Sequence, residues 1–125
     1  MHYVEIVAML VVVQYLFFIY QVGRARARYG VKAPAVSGHE IFERAYRVQM
    51  NSLELMVALL PSLFVAARFW PAEWVAGIGA VYVIGRFIYW RAYVSAPASR
   101  GLGFGLSMLP VMALLTMALA GAVLR

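Results

Sequence analysis

The sequence predicts an all-α integral membrane protein, a bundle of four transmembrane helices forming one domain over residues 1–125. Apolar residues make up 65% of the chain, against the roughly 45–50% of soluble domains. The mean hydropathy is +0.81. Four apolar stretches of about twenty residues, each long enough to cross a bilayer, are separated by short polar breaks. Most of the basic residues fall beside two of these breaks, as cytoplasmic loops require.

The first helix is predicted over about residues 3–28. Glu5 lies at its start, and Gln14, in its middle, is expected to hydrogen-bond to another helix. The helix runs into a basic break, which the positive-inside rule places in the cytoplasm. On a helical continuation Arg26 points about 160° away from Arg28, so Arg26 is the arginine expected to have a separate role.

The second helix is predicted over about residues 38–69, starting at a capping box formed by Ser37 and Glu40. Its first half carries a polar stripe. At about 100° per residue, one arc of about 100° holds Glu40, Glu43, Arg44, Arg47, Asn51 and Glu54, with Gln49 on nearly the opposite side. Too few residues follow Glu54 to cross a bilayer core of roughly twenty residues, so the stripe must lie partly inside the membrane.

The third and fourth helices are predicted over about residues 72–95 and 101–124. The cytoplasmic half of the third carries a second stripe, in which aromatic and basic residues are spaced four, three and four apart: Tyr82, Arg86, Tyr89 and Tyr93. An interfacial aromatic belt with a snorkelling arginine is the alternative interpretation. The glycines at the start of the fourth helix lack the spacing of a dinucleotide-binding loop and favour close helix packing.

The charge pattern predicts the topology. Nine of the eleven Lys and Arg lie in the two cytoplasmic loops or in adjacent helix halves, and only Arg68 and Arg125 lie at the other face. Both termini are therefore expected outside, and both polar stripes reach the cytoplasmic face. A bacterial inner membrane and an endoplasmic reticulum membrane fit equally well. The same distribution argues against nucleic acid as a partner.

The two stripes together predict a binding site for a small zwitterion with several carboxylates, such as a peptide. Arginine binds carboxylates bidentately, and a glutamate accepts an ammonium group. The alternative is structural: Glu54 pairs with Arg47 or Arg86 and holds the bundle together. The chain has no cysteine, which excludes disulfides and thiolate metal sites, and no cluster of metal-ligating residues is visible.

The stripes also carry a family resemblance. The pattern Phe42-Glu43-Arg44-x-Tyr46-Arg47-x-Gln49-x-Asn51-x-x-Glu54, followed by Gly85-Arg86-x-x-Tyr89-x-x-x-Tyr93 and by Arg100, resembles the MAPEG family, membrane-associated proteins in eicosanoid and glutathione metabolism. The resemblance covers nearly the whole chain. It implies a homotrimer with glutathione, its co-substrate, bound between neighbouring subunits near the cytoplasmic face.

The resemblance also assigns roles to single residues. One subunit is expected to hold glutathione through Arg47, Asn51, Glu54, Tyr89 and Tyr93, and Arg86 belongs to the same binding motif. Arg26 and Gln49 are expected to reach in from the neighbour. Arg100 matches the arginine that activates the glutathione thiol.

The implied function is a glutathione transferase or peroxidase that acts on lipophilic electrophiles or lipid hydroperoxides from the bilayer. Leu55 and Ala27 replace a tyrosine and an arginine of the leukotriene-forming members, which weakens the case for a leukotriene substrate. A non-catalytic lipid-binding scaffold is one alternative, but it predicts a degraded glutathione set. A small multidrug exporter is another, but Glu5 lies at the edge of the first span rather than within it. A glutathione-dependent isomerase stays open.

Overall fold

The computed structural model describes residues 2–124 and consists mainly of four long helices joined by short connections. Each helix is long and apolar enough to cross a membrane, which confirms the predicted fold class. A short 3₁₀ turn, Pro97–Ser99, lies between the last two helices. The helices are α1 Tyr3–Tyr29, α2 Glu40–Ala67, α3 Ala72–Ser95 and α4 Gly101–Leu124. Arg125, part of the topology prediction, lies outside the described residues.

The start of α2 differs from the prediction. The capping box expected from Ser37 and Glu40 does not form, because the chain stays extended through His39. Its ring Nδ1 accepts a hydrogen bond from the Ile41 amide at 3.1 Å. Glu43 reaches back to the Gly38 amide at 3.1 Å. His39 therefore caps one of the first amides of α2, and Glu43 binds an amide of the connection that precedes the helix.

The four helices close into a bundle in which α1 and α4 each pack against both α2 and α3. A large apolar core joins all four. Gln14, buried within α1, donates a hydrogen bond to the Val83 carbonyl oxygen of α3 at 2.8 Å. This confirms Gln14 as a residue that links two helices. The outward surface of α1 and α4 is rich in exposed Leu, Ile, Val and Met, as suits contact with lipid.

A very close helix contact joins the second half of α3 to the first half of α4. A Cβ atom on Gly103 would lie 2.3 Å from the backbone nitrogen of Tyr89, and one on Gly85 would lie 2.6 Å from the backbone of Leu106. Only glycine allows the two backbones to approach this far, as small residues commonly do in membrane helix pairs. This approach fixes the position of Tyr89 and of the polar residues around it.

Candidate functional site

A polar cavity of about 400 Å³ opens at the end of the bundle where α1 and α3 end and α2 and α4 begin. It falls within the roughly 300–1,000 Å³ range of small-molecule sites. Residues of α2, α3, α4 and the connection before α4 form its wall: Arg47, Asn51, Glu54, Tyr89, Tyr93, Arg100 and Phe104. All of them except Phe104 were predicted as site residues.

The α2 side of the cavity comes from the predicted polar stripe. Arg47, Asn51 and Glu54 are four and three residues apart and therefore lie on one face of the helix. Arg47 and Glu54 are exposed, whereas Asn51 is half-buried. The adjacent, apolar side of α2 packs into the core through Val48, Leu55 and Leu59. Burial of this side orients the stripe toward the cavity.

The α3 side of the cavity is a stack of cationic and aromatic groups. The Arg86 guanidinium lies over the Tyr89 ring at 4.2 Å from its centroid. The Tyr89 and Tyr93 rings stack with centroids 5.5 Å apart. Arg100 in turn lies 5.8 Å from the Tyr93 ring centroid. The stack runs from the interior of the bundle to the exposed mouth of the cavity, which an unpatterned interfacial belt would not produce.

Arg86 lies behind the cavity wall and is 0% exposed. Its Nε donates to Ser107 Oγ at 2.8 Å. Its Nη1 donates to Asn51 Oδ1 at 2.8 Å and to Ser52 Oγ at 3.1 Å. Its Nη2 is buried and has no hydrogen-bond partner among the described residues. The structure therefore joins Arg86 to the cavity through Asn51 and Tyr89 rather than through its own surface.

The ion pairs among the described residues are local and differ from the pairs that the structural alternative predicts. Within residues 2–124, the pairs of a basic side chain with a carboxylate closer than 4 Å are His2–Glu5 and Glu40–Arg44. Glu54 pairs with neither Arg47 nor Arg86, so that alternative is wrong. Glu5 lies exposed in the first turn of α1 beside His2, at 3.0 Å, which gives no support to an exporter with a carboxylate inside the first span.

Arg26 and Gln49 do not line the cavity of their own chain. Arg26 donates to the Ala35 carbonyl oxygen at 2.7 Å and lies 4.8 Å from the Phe42 ring centroid. Gln49 donates to the Tyr15 hydroxyl at 3.3 Å. Both residues therefore lie on the α1–α2 side of the bundle, away from the other predicted residues.

Sequence reasoning missed the residues that support the wall. Ser52 and Ser107 hold Arg86, and Ser107 also donates to the Gly103 carbonyl oxygen at 2.7 Å. A serine in an apolar helix gives little signal of such a role. Arg44, which the stripe placed with the site, instead donates to the Val94 carbonyl oxygen at 3.0 Å and joins α2 to the end of α3.

The chemistry of the cavity is that of an anion-binding site with one acidic group. Two arginines, Arg47 and Arg100, lie in the wall, a third guanidinium lies behind it, and Glu54 is the one carboxylate of the wall. This set suits a ligand with more than one carboxylate and a single ammonium group. Among the described residues, no group of three His, Cys, Asp or Glu side chains is placed to bind a metal ion.

Comparison with known proteins gives a consistent set of relatives. The sequence model of the MAPEG family matches residues 4–120. The uncharacterised protein sll1147 of Synechocystis sp. is 44% identical over 105 residues, covering 84% of this chain and 77% of the relative. Microsomal glutathione S-transferase 2 of Homo sapiens is 38% identical over 111 residues, covering 89% and 75%. Leukotriene C4 synthase of Bos taurus is 34% identical over 94 residues, covering 75% and 63%.

Proposed function

Because the chain belongs to the MAPEG family, we propose that it is a membrane-bound glutathione transferase. In this proposal glutathione is the co-substrate and binds in the polar cavity, and lipophilic electrophiles enter from the bilayer. Two of the relatives carry the names microsomal glutathione S-transferase 2 and leukotriene C4 synthase, which supports glutathione chemistry in this family.

The observation that carries the proposal is the composition of the cavity wall. Glutathione has two carboxylates, one ammonium group and a thiol. The wall offers Arg47 and Arg100 to carboxylate or thiolate, Glu54 to the ammonium group, and two tyrosines to the peptide. These groups come from α2, α3 and the connection before α4, so their convergence is a property of the fold rather than of one sequence motif.

Arg100 is the proposed catalytic residue because a guanidinium beside the thiol stabilises the thiolate. A free thiol has a pKa of about 8.5, so it is mostly protonated at neutral pH. A nearby cation lowers that pKa, and each unit corresponds to about 1.4 kcal/mol. The thiolate then attacks an electrophilic carbon: a sulfur–carbon bond forms and the leaving group departs with its electron pair. With a lipid hydroperoxide, two glutathione molecules become the disulfide, and an alcohol and water are released.

A homotrimer is part of the proposal. Arg26 and Gln49 lie on the α1–α2 side of their own chain and do not line its cavity. They reach glutathione only if a second copy presents this side to the cavity, which a closed ring of identical subunits allows. In this proposal the cavity faces the cytoplasm, which the basic residues at this end of the bundle support.

The proposal is tested by turnover of an aryl halide with glutathione in detergent, for wild type, Arg100→Ala and Arg91→Ala. Arg91 is a matched control, because it is also exposed and near the cytoplasmic end but does not line the cavity. We expect saturable glutathione-dependent turnover in wild type and Arg91→Ala, and a loss of at least about 100-fold in kcat/KM in Arg100→Ala, the scale of one preorganised charge. Turnover that is absent in the wild type, or equal in all three proteins, would refute it.

A further inference from the structure

Arg86 is a fully buried cation beside the cavity. It has no carboxylate within 4 Å among residues 2–124. Its hydrogen-bond partners are the neutral side chains of Asn51, Ser52 and Ser107. A buried charge is costly unless it is paired, and charges inside a membrane bundle commonly mark functional sites. A purely structural role leaves this missing counter-charge unexplained.

The hydrogen bond to Asn51 fixes the chemistry that Asn51 presents to the cavity. A guanidinium carries only donors, so it can bind the Asn51 side chain only through the amide oxygen, Oδ1. That bond measures 2.8 Å. The Asn51 amide nitrogen is then left to donate, and Asn51 lies in the cavity wall. A free asparagine side chain can both donate and accept hydrogen bonds, but with its oxygen bound to Arg86, Asn51 presents a donor to the cavity. A donor favours an acceptor such as a carboxylate over an ammonium group.

The Arg86 guanidinium also packs against Tyr89, an aromatic residue of the cavity wall. It lies 4.2 Å from the centroid of the Tyr89 ring, and Tyr89 is 4% exposed, between Arg86 and the cavity. The positive charge of Arg86 is surrounded by low-dielectric protein, where the attraction to an anion is screened less than in water. Its potential therefore extends into the cavity without direct contact with the ligand.

From this geometry we infer that Arg86 is a positioning residue that makes the cavity selective for the carboxylates of glutathione, by holding Asn51 as a donor and by supplying a buried, uncompensated positive charge. This inference rests on the proposed function and deepens it. It differs from direct ligation, in which Arg86 itself would touch glutathione. It also predicts that an anion in the cavity is the counter-charge that the bundle lacks.

The test compares glutathione with its diethyl ester, in which both carboxylates are capped, for wild type, Arg86→Gln, Asn51→Asp and Ser107→Ala. Asn51→Asp is the informative variant, because it gives Arg86 a carboxylate partner while it removes the donor and neutralises the charge. We expect a higher Tm in detergent together with about tenfold weaker glutathione binding, the scale of one charge-assisted hydrogen bond. A residue with a merely structural role would not separate stability from binding in this way.

Arg86→Gln should weaken glutathione binding by a similar factor and should change ester binding by less than about threefold, so that selectivity between the two ligands is lost. Ser107→Ala, which removes one Arg86 partner outside the cavity, should shift the glutathione KM in the same direction by a few-fold, with kcat nearly unchanged. Gln14→Met is the control, because it removes a buried interhelical hydrogen bond outside this network. It should lower Tm without changing the selectivity.

The outcomes separate the two proposals. Wild type that does not bind glutathione overturns the proposed function and this inference with it. Wild type that binds glutathione, with Asn51→Asp, Arg86→Gln and Ser107→Ala keeping the wild-type selectivity, overturns the role of Arg86 alone. If Arg86→Gln does not fold, Asn51→Asp and Ser107→Ala decide, since each leaves the arginine in place.

Discussion

Gly103→Ala tests whether the close approach of α3 and α4 holds the site together. The added Cβ would lie 2.3 Å from the backbone nitrogen and 2.4 Å from the Cα of Tyr89, more than about 1 Å inside the usual contact distance of non-bonded heavy atoms. Both atoms belong to a helix backbone, so no side chain can rotate away. The two helices must separate, at a cost of about 1–3 kcal/mol or more.

Gly105→Ala is the matched control, because a Cβ on Gly105 meets no atom within 4 Å. Both substitutions gain about 1 kcal/mol of helix propensity, so the difference between them isolates the clash. In a thermal unfolding assay in detergent, we expect Tm of Gly103→Ala to lie on the order of 10 °C below that of Gly105→Ala. Since Tyr89 must move, glutathione KM should rise only in Gly103→Ala. Equal Tm values for the two variants would refute the packing argument.

The indole of Trp70 donates to the Met117 carbonyl oxygen at 2.9 Å, so Trp70→Phe should lower the free energy of unfolding by about 1 kcal/mol. Trp74→Phe is the control at an exposed tryptophan, and equal stability of the two variants would contradict the role of this hydrogen bond. Arg26→Ala and Arg47→Ala should each raise the glutathione KM at least about tenfold, because each removes one charge-assisted contact. When equal amounts of the two variants are mixed and assemble at random, about a quarter of the sites in the trimers should contain both arginines and regain the wild-type KM. Mixed trimers in which no site regains wild-type KM would refute the shared site.

Much of the fold could be predicted because a bilayer constrains the sequence strongly. Spans of about twenty apolar residues with basic ends define helices without reference to tertiary packing. The start of α2 could not be predicted this way. Ser37 offered a standard capping sequence, but the extended backbone through His39 moved the cap by two residues. Local sequence patterns predict helix ends poorly, because the conformation of the connecting chain also determines where the helix begins.

The site could be predicted only in part, for a related reason. Helical periodicity placed Arg47, Asn51 and Glu54 on one face, and the cavity wall contains all three. Helical periodicity placed Arg86 and Tyr89 on the same face of α3, but it could not predict that Arg86 is completely buried. The burial of Arg86 involves Ser107 and the glycines of the α3–α4 contact. These residues lie on α3 and α4, and helical periodicity does not reveal this role.

The most direct test is a titration of glutathione into the detergent-solubilised protein, followed by thiolate absorbance in the ultraviolet, for wild type, Arg100→Ala and Arg100→Lys. At pH 7 a free thiol with a pKa of about 8.5 is only about 3% ionised. We expect a saturable thiolate signal of more than half an equivalent per site in the wild type, none in Arg100→Ala, and a partial signal in Arg100→Lys, which keeps the charge. Bound glutathione that stays protonated in the wild type, or a thiolate signal unchanged in Arg100→Ala, would contradict thiol activation by Arg100.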